Sequence, residues 1–91
     1  MKHKLLKIAN DLNTLSIHSK ENVRCDFETS SFEDEVYLFF YHYSDEYDAE
    51  VKSILFAEFH TSEKLRDKFE LAKKVIKGEC LIDERNSHLP N

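Results

Sequence analysis

Leu5, Ile8, Ala9, Leu12 and Leu15 recur at three- and four-residue steps, with Lys4, Lys7, Asn10, Asp11 and Asn13 between them. That spacing predicts an amphipathic helix over residues 2–15, ended by the polar run from Ser16 to Asn22. Val23, Cys25, Phe27 and Thr29 then alternate with Arg24, Asp26 and Glu28, the period of a half-buried strand. Ser30 to Asp34 reads as a turn. Val36 to Tyr43 is apolar or aromatic on both faces apart from His42, which predicts a central strand. An acidic loop, Ser44 to Glu50, leads to a third predicted strand from Val51 to His60. Ile54 and Phe56 lie on one of its faces, and Val51, Leu55, Ala57 and Phe59 mainly on the other.

Thr61 or Ser62 can cap a second helix, with Glu63 near the positive end of its dipole. Its stripe is Leu65, Phe69, Ala72, Val75 and Ile76, and Gly78 is suited to its C-terminal cap. Beyond it, Cys80, Leu81 and Ile82 are placed to dock a short segment, and residues 83–91 read as a frayed polar tail. Connections this short favour antiparallel pairing, because a parallel neighbour needs a long crossover. The expected fold class is α+β: a single α-β-β-β-α domain over residues 1–91, its three-stranded antiparallel sheet packed against the helices.

The two faces of the central strand matter most for function. If both helices cover one face, the other is left with Tyr37, Phe39, Tyr41 and Tyr43, or with Val36, Leu38, Phe40 and His42. The tyrosine set is the better open one, because tyrosine keeps its hydroxyl hydrogen-bonded at a wet edge while its ring is covered. If Ile54 and Phe56 lie on that same face, they flank Phe39 and enlarge an apolar patch. Two outcomes follow. One helix on each side makes the patch core; both on one side makes it a partner or homodimer surface.

Charge sharpens the picture. Ten of the 18 acidic residues and only one base, Arg24, fall between Glu21 and Glu50, a local net charge of −9 inside a chain of net −5. Glu33, Asp34 and Glu35 occupy the first turn, Asp45, Glu46, Asp48 and Glu50 the second loop, and Asp26 and Glu28 the polar side of the first strand. Successive turns of a meander lie at opposite ends of the sheet, roughly 25 Å apart at about 3.4 Å per residue. The acids therefore form an interrupted ribbon. A ribbon of carboxylates beside aromatic rings suits docking into a Lys/Arg groove as a nucleic-acid mimic. The plain alternative is a solubilised loop and an edge strand guarded against aggregation.

Other chemistries have less support. Asp45 to Glu50 lacks the central glycine and twelve-residue spacing of a calcium loop. Cys25, Cys80, His42 and His60 form no metal-binding pair, and Cys25 with His42 reads as core rather than as a nucleophile and base. A chain of 91 residues with one glycine has no phosphate-binding loop, so no enzyme, cofactor or metal is expected. No signal peptide or membrane span is read, and the cysteines are expected reduced in a cytoplasmic protein, with one disulfide as the alternative. The acidic balance disfavours direct nucleic-acid binding.

In size, in the element order of residues 2–77, and in the acids Glu33, Asp34, Glu35, Asp45, Glu46, Asp48 and Glu50, the chain resembles small acidic phage-encoded inhibitors of bacterial DNA-targeting defences, in particular one anti-CRISPR type. That resemblance implies a non-enzymatic inhibitor whose acidic loops occupy the DNA-reading cleft of a Cas nuclease in the bacterial host cell. It differs from that type in its richer aromatic strand, Val36 to Tyr43, and in its basic second helix. Two other expectations remain beside it: a homodimeric structural or regulatory protein built on the aromatic face, and an antitoxin or immunity-type protein neutralising a basic toxin or nuclease. The partner-binding candidates are Asp26, Glu28, Glu33, Asp34, Glu35, Asp45, Glu46, Asp48 and Glu50 with Tyr37, Phe39, Tyr41 and Tyr43.

Overall fold

The computed structural model describes residues 2–30 and 35–82. The elements are α1 (Lys2–Ile17), β1 (Val23–Ser30), β2 (Glu35–Tyr43), β3 (Val51–Ala57) and α2 (Ser62–Ile76). The strands form one antiparallel sheet in the order β1-β2-β3. The expected α+β order is the observed one.

Both helices lie on the same face of the sheet. Leu5, Ile8, Ala9 and Leu12 of α1 and Leu65, Ala72, Val75 and Ile76 of α2 join Val36, Leu38, Phe40, Ile54 and Phe56 in one buried core. Each fully covered large side chain contributes about 1.5–3 kcal/mol of hydrophobic stabilisation. The arrangement with one helix per side is not adopted, and among the described residues no helix covers the odd-numbered residues of β2.

α1 runs two residues beyond its expected end, and in its last turn the Ser16 hydroxyl donates to the Leu12 carbonyl at 2.7 Å, so this polar side chain is satisfied within the helix. α2 starts where its cap predicts: the Thr61 hydroxyl accepts from the Lys64 amide at 3.1 Å. It ends at Gly78, which adopts φ +76° directly after the capping Lys77. Gly78 N–H donates to the Val75 carbonyl and Glu79 N–H to Lys74, the paired bonds that close a helix through a left-handed residue. Ser19 then ties the α1–β1 turn to this end, its hydroxyl donating to the Ile76 carbonyl at 2.6 Å.

β3 is shorter than expected, ending at Ala57 instead of His60. The chain turns there because His60 N–H returns to the Ala57 carbonyl while its ring Nδ1 accepts the Ala57 N–H at 3.1 Å. Residues 31–34, with Glu33 and Asp34, and the expected tail at 83–91 lie outside the described residues. Among the described residues, no helix is long and apolar enough to cross a membrane.

Candidate functional site

Strand pleating puts Tyr37, Phe39, Tyr41 and Tyr43 on the uncovered face, each half-buried by its neighbours. Phe39 and Tyr41 stack with centroids 6.1 Å apart, and Tyr43 continues the row at 6.4 Å from Tyr41. The register decides what flanks this row. β1 sets Glu28 opposite Tyr37, Asp26 opposite Phe39 and Arg24 opposite Tyr41. β3 sets Ala57, Leu55, Ser53 and Val51 opposite the same four rings in turn. Directly opposed residues share a face, so the row has a charged flank on β1 and an apolar one on β3.

The register also decides which residues of β3 flank the row. Ile54 and Phe56 face the helices, opposite Phe40 and Leu38, and Leu55 is the apolar neighbour of Phe39. The position of β3 relative to β2 fixes that choice, which alternation within β3 leaves undecided.

Arg24 shows how this face handles a cation. Its guanidinium lies 4.9 Å from the Tyr41 ring centre, and its Nη2 bonds Asp26 Oδ2 at 3.1 Å. The aromatic quadrupole and the carboxylate hold it together. Glu35 is exposed at the other end of the row, where its carboxylate accepts from the Tyr37 hydroxyl. Glu58 extends the acidic surface nearby, its Oε1 accepting the Val36 N–H at 2.7 Å. A recess of about 270 Å³ opens there, lined by Glu35, Val36, Tyr37, Glu58 and Phe59. Phe59 is 73% exposed and meets the His60 ring edge-on. Burial and the positive charges of Lys68 and Lys64 hold His60 below the usual histidine range, in keeping with an Nδ1 that accepts.

The second acidic loop is built differently. Ser44 N–H donates to Glu50 O, and Glu50 N–H to Tyr47 O, closing a compact double turn with Glu50 at φ 66°. Asp45, Glu46, Asp48 and Glu50 are exposed, but Tyr47 between them is buried on the helix side of the sheet. Its ring meets His42 edge-on, and its hydroxyl lies 2.7 Å from His42 Nδ1 and 2.7 Å from the Ile82 amide. His42 Nε2 lies 2.9 Å from Glu21 Oε1. An ionised Glu21 only accepts, so a neutral ring carries its proton on Nε2. Nδ1 then accepts from Tyr47, whose oxygen accepts from the Ile82 N–H, so both ring nitrogens and the Tyr47 hydroxyl are satisfied.

Cys25 shares the helix face with His42 but lies opposite Phe40. Both ring nitrogens of His42 are already engaged, so no base is directed at the thiol. Burial pushes that thiol up to about 11, with Asp26 adding to the rise and a Ser16 hydrogen bond opposing it. Neither cysteine is in a disulfide. No group of three metal-ligating side chains occurs among the described residues.

The sequence candidates thus divide. Asp26, Glu28, Glu35, Tyr37, Phe39, Tyr41 and Tyr43 come together on one face. Asp45, Glu46, Asp48 and Glu50 cluster beyond the far end of β2, on a loop pinned to the helix side. Arg24, Phe59 and Tyr47 were not singled out, although each carried a signal: the lone base in an acidic stretch, the aromatic ending a strand, and the aromatic inside an acidic loop. Comparisons with protein-family models, curated proteins and solved structures find no match to this chain.

Proposed function

We propose that this chain is a non-enzymatic inhibitor or binding protein that presents an acidic, DNA-mimicking surface to the basic nucleic-acid-binding cleft of another protein, of the kind that CRISPR-Cas and other defence nucleases carry. The supporting observation is the placing of Asp26, Glu28 and Glu35 on one uncovered face with a row of four aromatic rings. Carboxylates steer a basic cleft into place and fix register on its arginines, while the rings supply the area that charge alone lacks. The loop acids at the far end add to the long-range field. On this proposal the protein acts in the cytoplasm, in a bacterial host if phage-encoded, and binds no nucleic acid itself.

The test is capture from a host lysate on the immobilised protein, followed by elution with duplex DNA. A partner that binds DNA, is released by it, leaves as salt rises, and is lost from the Asp26→Asn, Glu28→Gln, Glu35→Gln triple variant supports the proposal. A partner indifferent to DNA and salt overturns it. A basic toxin held through the same acids but not displaced by DNA would favour neutralisation instead.

The apolar flank, Phe39 beside Leu55 with Val51 further along, favours a second reading, a homodimer through this face. Sedimentation at rising concentration separates the two: a dimer that dissociates when Phe39 and Leu55 are made polar would occupy the face with a second copy.

A further inference from the structure

We infer that the outer edge of β3 is a self-pairing strand: two copies of the chain join there, antiparallel, into one sheet of six strands, three from each copy. The inference goes beyond the proposed inhibitor and does not depend on its basic partner. It starts from where the β3 backbone points. Ser44 N–H donates to the Glu50 carbonyl, and hydrogen-bonded pairs alternate along an antiparallel ladder. The even-numbered positions of β3 therefore bond β2, and Val51, Ser53, Leu55 and Ala57 turn their N–H and C=O groups outward. Ala57 agrees with that parity: its N–H is taken by His60 Nδ1 and its carbonyl by the His60 N–H. Among the described residues, no hydrogen bond engages the outward groups of Val51, Ser53 and Leu55.

Edges of this kind are ordinarily guarded by charge, proline or a covering segment. The two edges of the sheet differ in that respect. β1 is guarded by Arg24, Asp26 and Glu28. β3 has no proline and one charge, Lys52, whose ammonium lies 5.7 Å from the Tyr47 ring centre on the helix side. In a chain with 34% charged residues, Val51, Ser53 and Leu55 make a neutral window.

That window is complementary to itself. In an antiparallel pair centred on Ser53, Val51 of one copy faces Leu55 of the other, and the two Ser53 residues meet at the two-fold axis. Each facing pair exchanges two backbone hydrogen bonds. Charge favours the same occupant. Ten acids and one base lie between Glu21 and Glu50, and joining at β3 sets both acidic β1 strands at the outer ends of the joint sheet, as far apart as it allows. Because both copies use the same edge, the assembly closes as a dimer and does not grow.

Sedimentation equilibrium up to about 1 mM reads the association. Pairing at these few positions buries less than the roughly 1,200 Å² of a stable interface, so a reversible dimer with a dissociation constant on the order of 100 µM is expected. Ser53→Pro removes an outward N–H and no bond within the sheet, and should weaken the dimer about tenfold or more. Should that variant not fold, Ser53→Lys at the same exposed position sets like charges against each other at the axis, with the same expected loss. Phe39→Gln, on the tyrosine face but away from the edge, should leave the dimer within about twofold. Ser53→Cys should oxidise to a dimer linked from 53 to 53, because facing Cα atoms about 5.5 Å apart are within disulfide reach. A parent still monomeric at about 1 mM overturns the inference and leaves the proposed function standing. A dimer that survives Ser53→Lys, is lost with Phe39→Gln, or forms no 53-to-53 link also overturns it.

Discussion

On one face of β2, Val36, Leu38, Phe40 and His42 are closed over by two helices; on the other, Tyr37, Phe39, Tyr41 and Tyr43 stay half in water. Hydrophobic content alone separates these faces poorly, since the open one has four aromatic rings. What separates them is the neighbours. β3 differs little between the two sides, offering Ile54 and Phe56 to the helices and Leu55, Ala57 and Val51 with Ser53 to the tyrosines, whereas β1 offers Cys25 and Phe27 against Arg24, Asp26 and Glu28. A helix laid on the second face would strip water from the Arg24–Asp26 pair and from the Glu28 carboxylate, and that desolvation opposes what covering the rings returns. The charged flank on β1 keeps the aromatic row open.

The largest test of this contrast uses adjacent residues. Phe40→Ala should cost about 3–5 kcal/mol through the cavity it leaves, and Tyr41→Ala only about 1 kcal/mol, both read from urea melts. Equal losses would mean that the tyrosine face is buried in solution. The same pair sharpens the dimer question: a parent that sediments as a monomer, with a Tyr41→Ala variant that unfolds far earlier, would end the interface proposal.

Hydroxyls extend the contrast. Tyr47→Phe leaves His42 Nδ1 and the Ile82 amide without their partner and should cost about 1–3 kcal/mol, with faster hydrogen exchange at Ile82. Tyr43→Phe on the open face should stay within about 0.5 kcal/mol of the parent. If the two cost the same, the buried relay contributes nothing beyond its ring packing.

Association separates the sheet face from the loop. Replacing Asp45, Glu46, Asp48 and Glu50 with their amides should keep the fold and slow capture of the DNA-displaced partner roughly tenfold, while its dissociation rate barely moves. Phe39→Leu with Tyr41→Leu should do the opposite. A quadruple loop variant that associates as fast as the parent at about 0.15 M salt makes the loop acids solubilising only.

The smallest effect concerns pH. His60 titrates below its ordinary 6.5 in the folded chain, so its contribution to stability is present above that value and is lost as pH falls through the folded value. Protonation also occupies the Nδ1 that accepts the Ala57 amide. His60→Gln should flatten the acid side of the stability profile below pH 6.5, and an unchanged slope would remove His60 from the account.

Element order, the Thr61 cap, the Gly78 stop and the alternation of all three strands were legible in the chain, because each depends on residues a few positions apart. The openness of the tyrosine face was legible only as one of two outcomes. Other features required partners far away in sequence. Which side of the sheet Ile54 and Phe56 take stays open in the sequence, because register relates two strands and neither strand's own pattern contains it. Tyr47 looked like part of a solvated acidic loop, yet its hydroxyl is anchored 35 residues away at Ile82, with His42 bridging to Glu21. Arg24 looked like a lone compensating charge until pairing set it opposite Tyr41. Local periodicity determined which residues form strands and helices and which way their side chains alternate. Only tertiary contact decided which face was covered and which polar groups met, because burial and hydrogen bonding are properties of neighbours that the chain brings together only when folded.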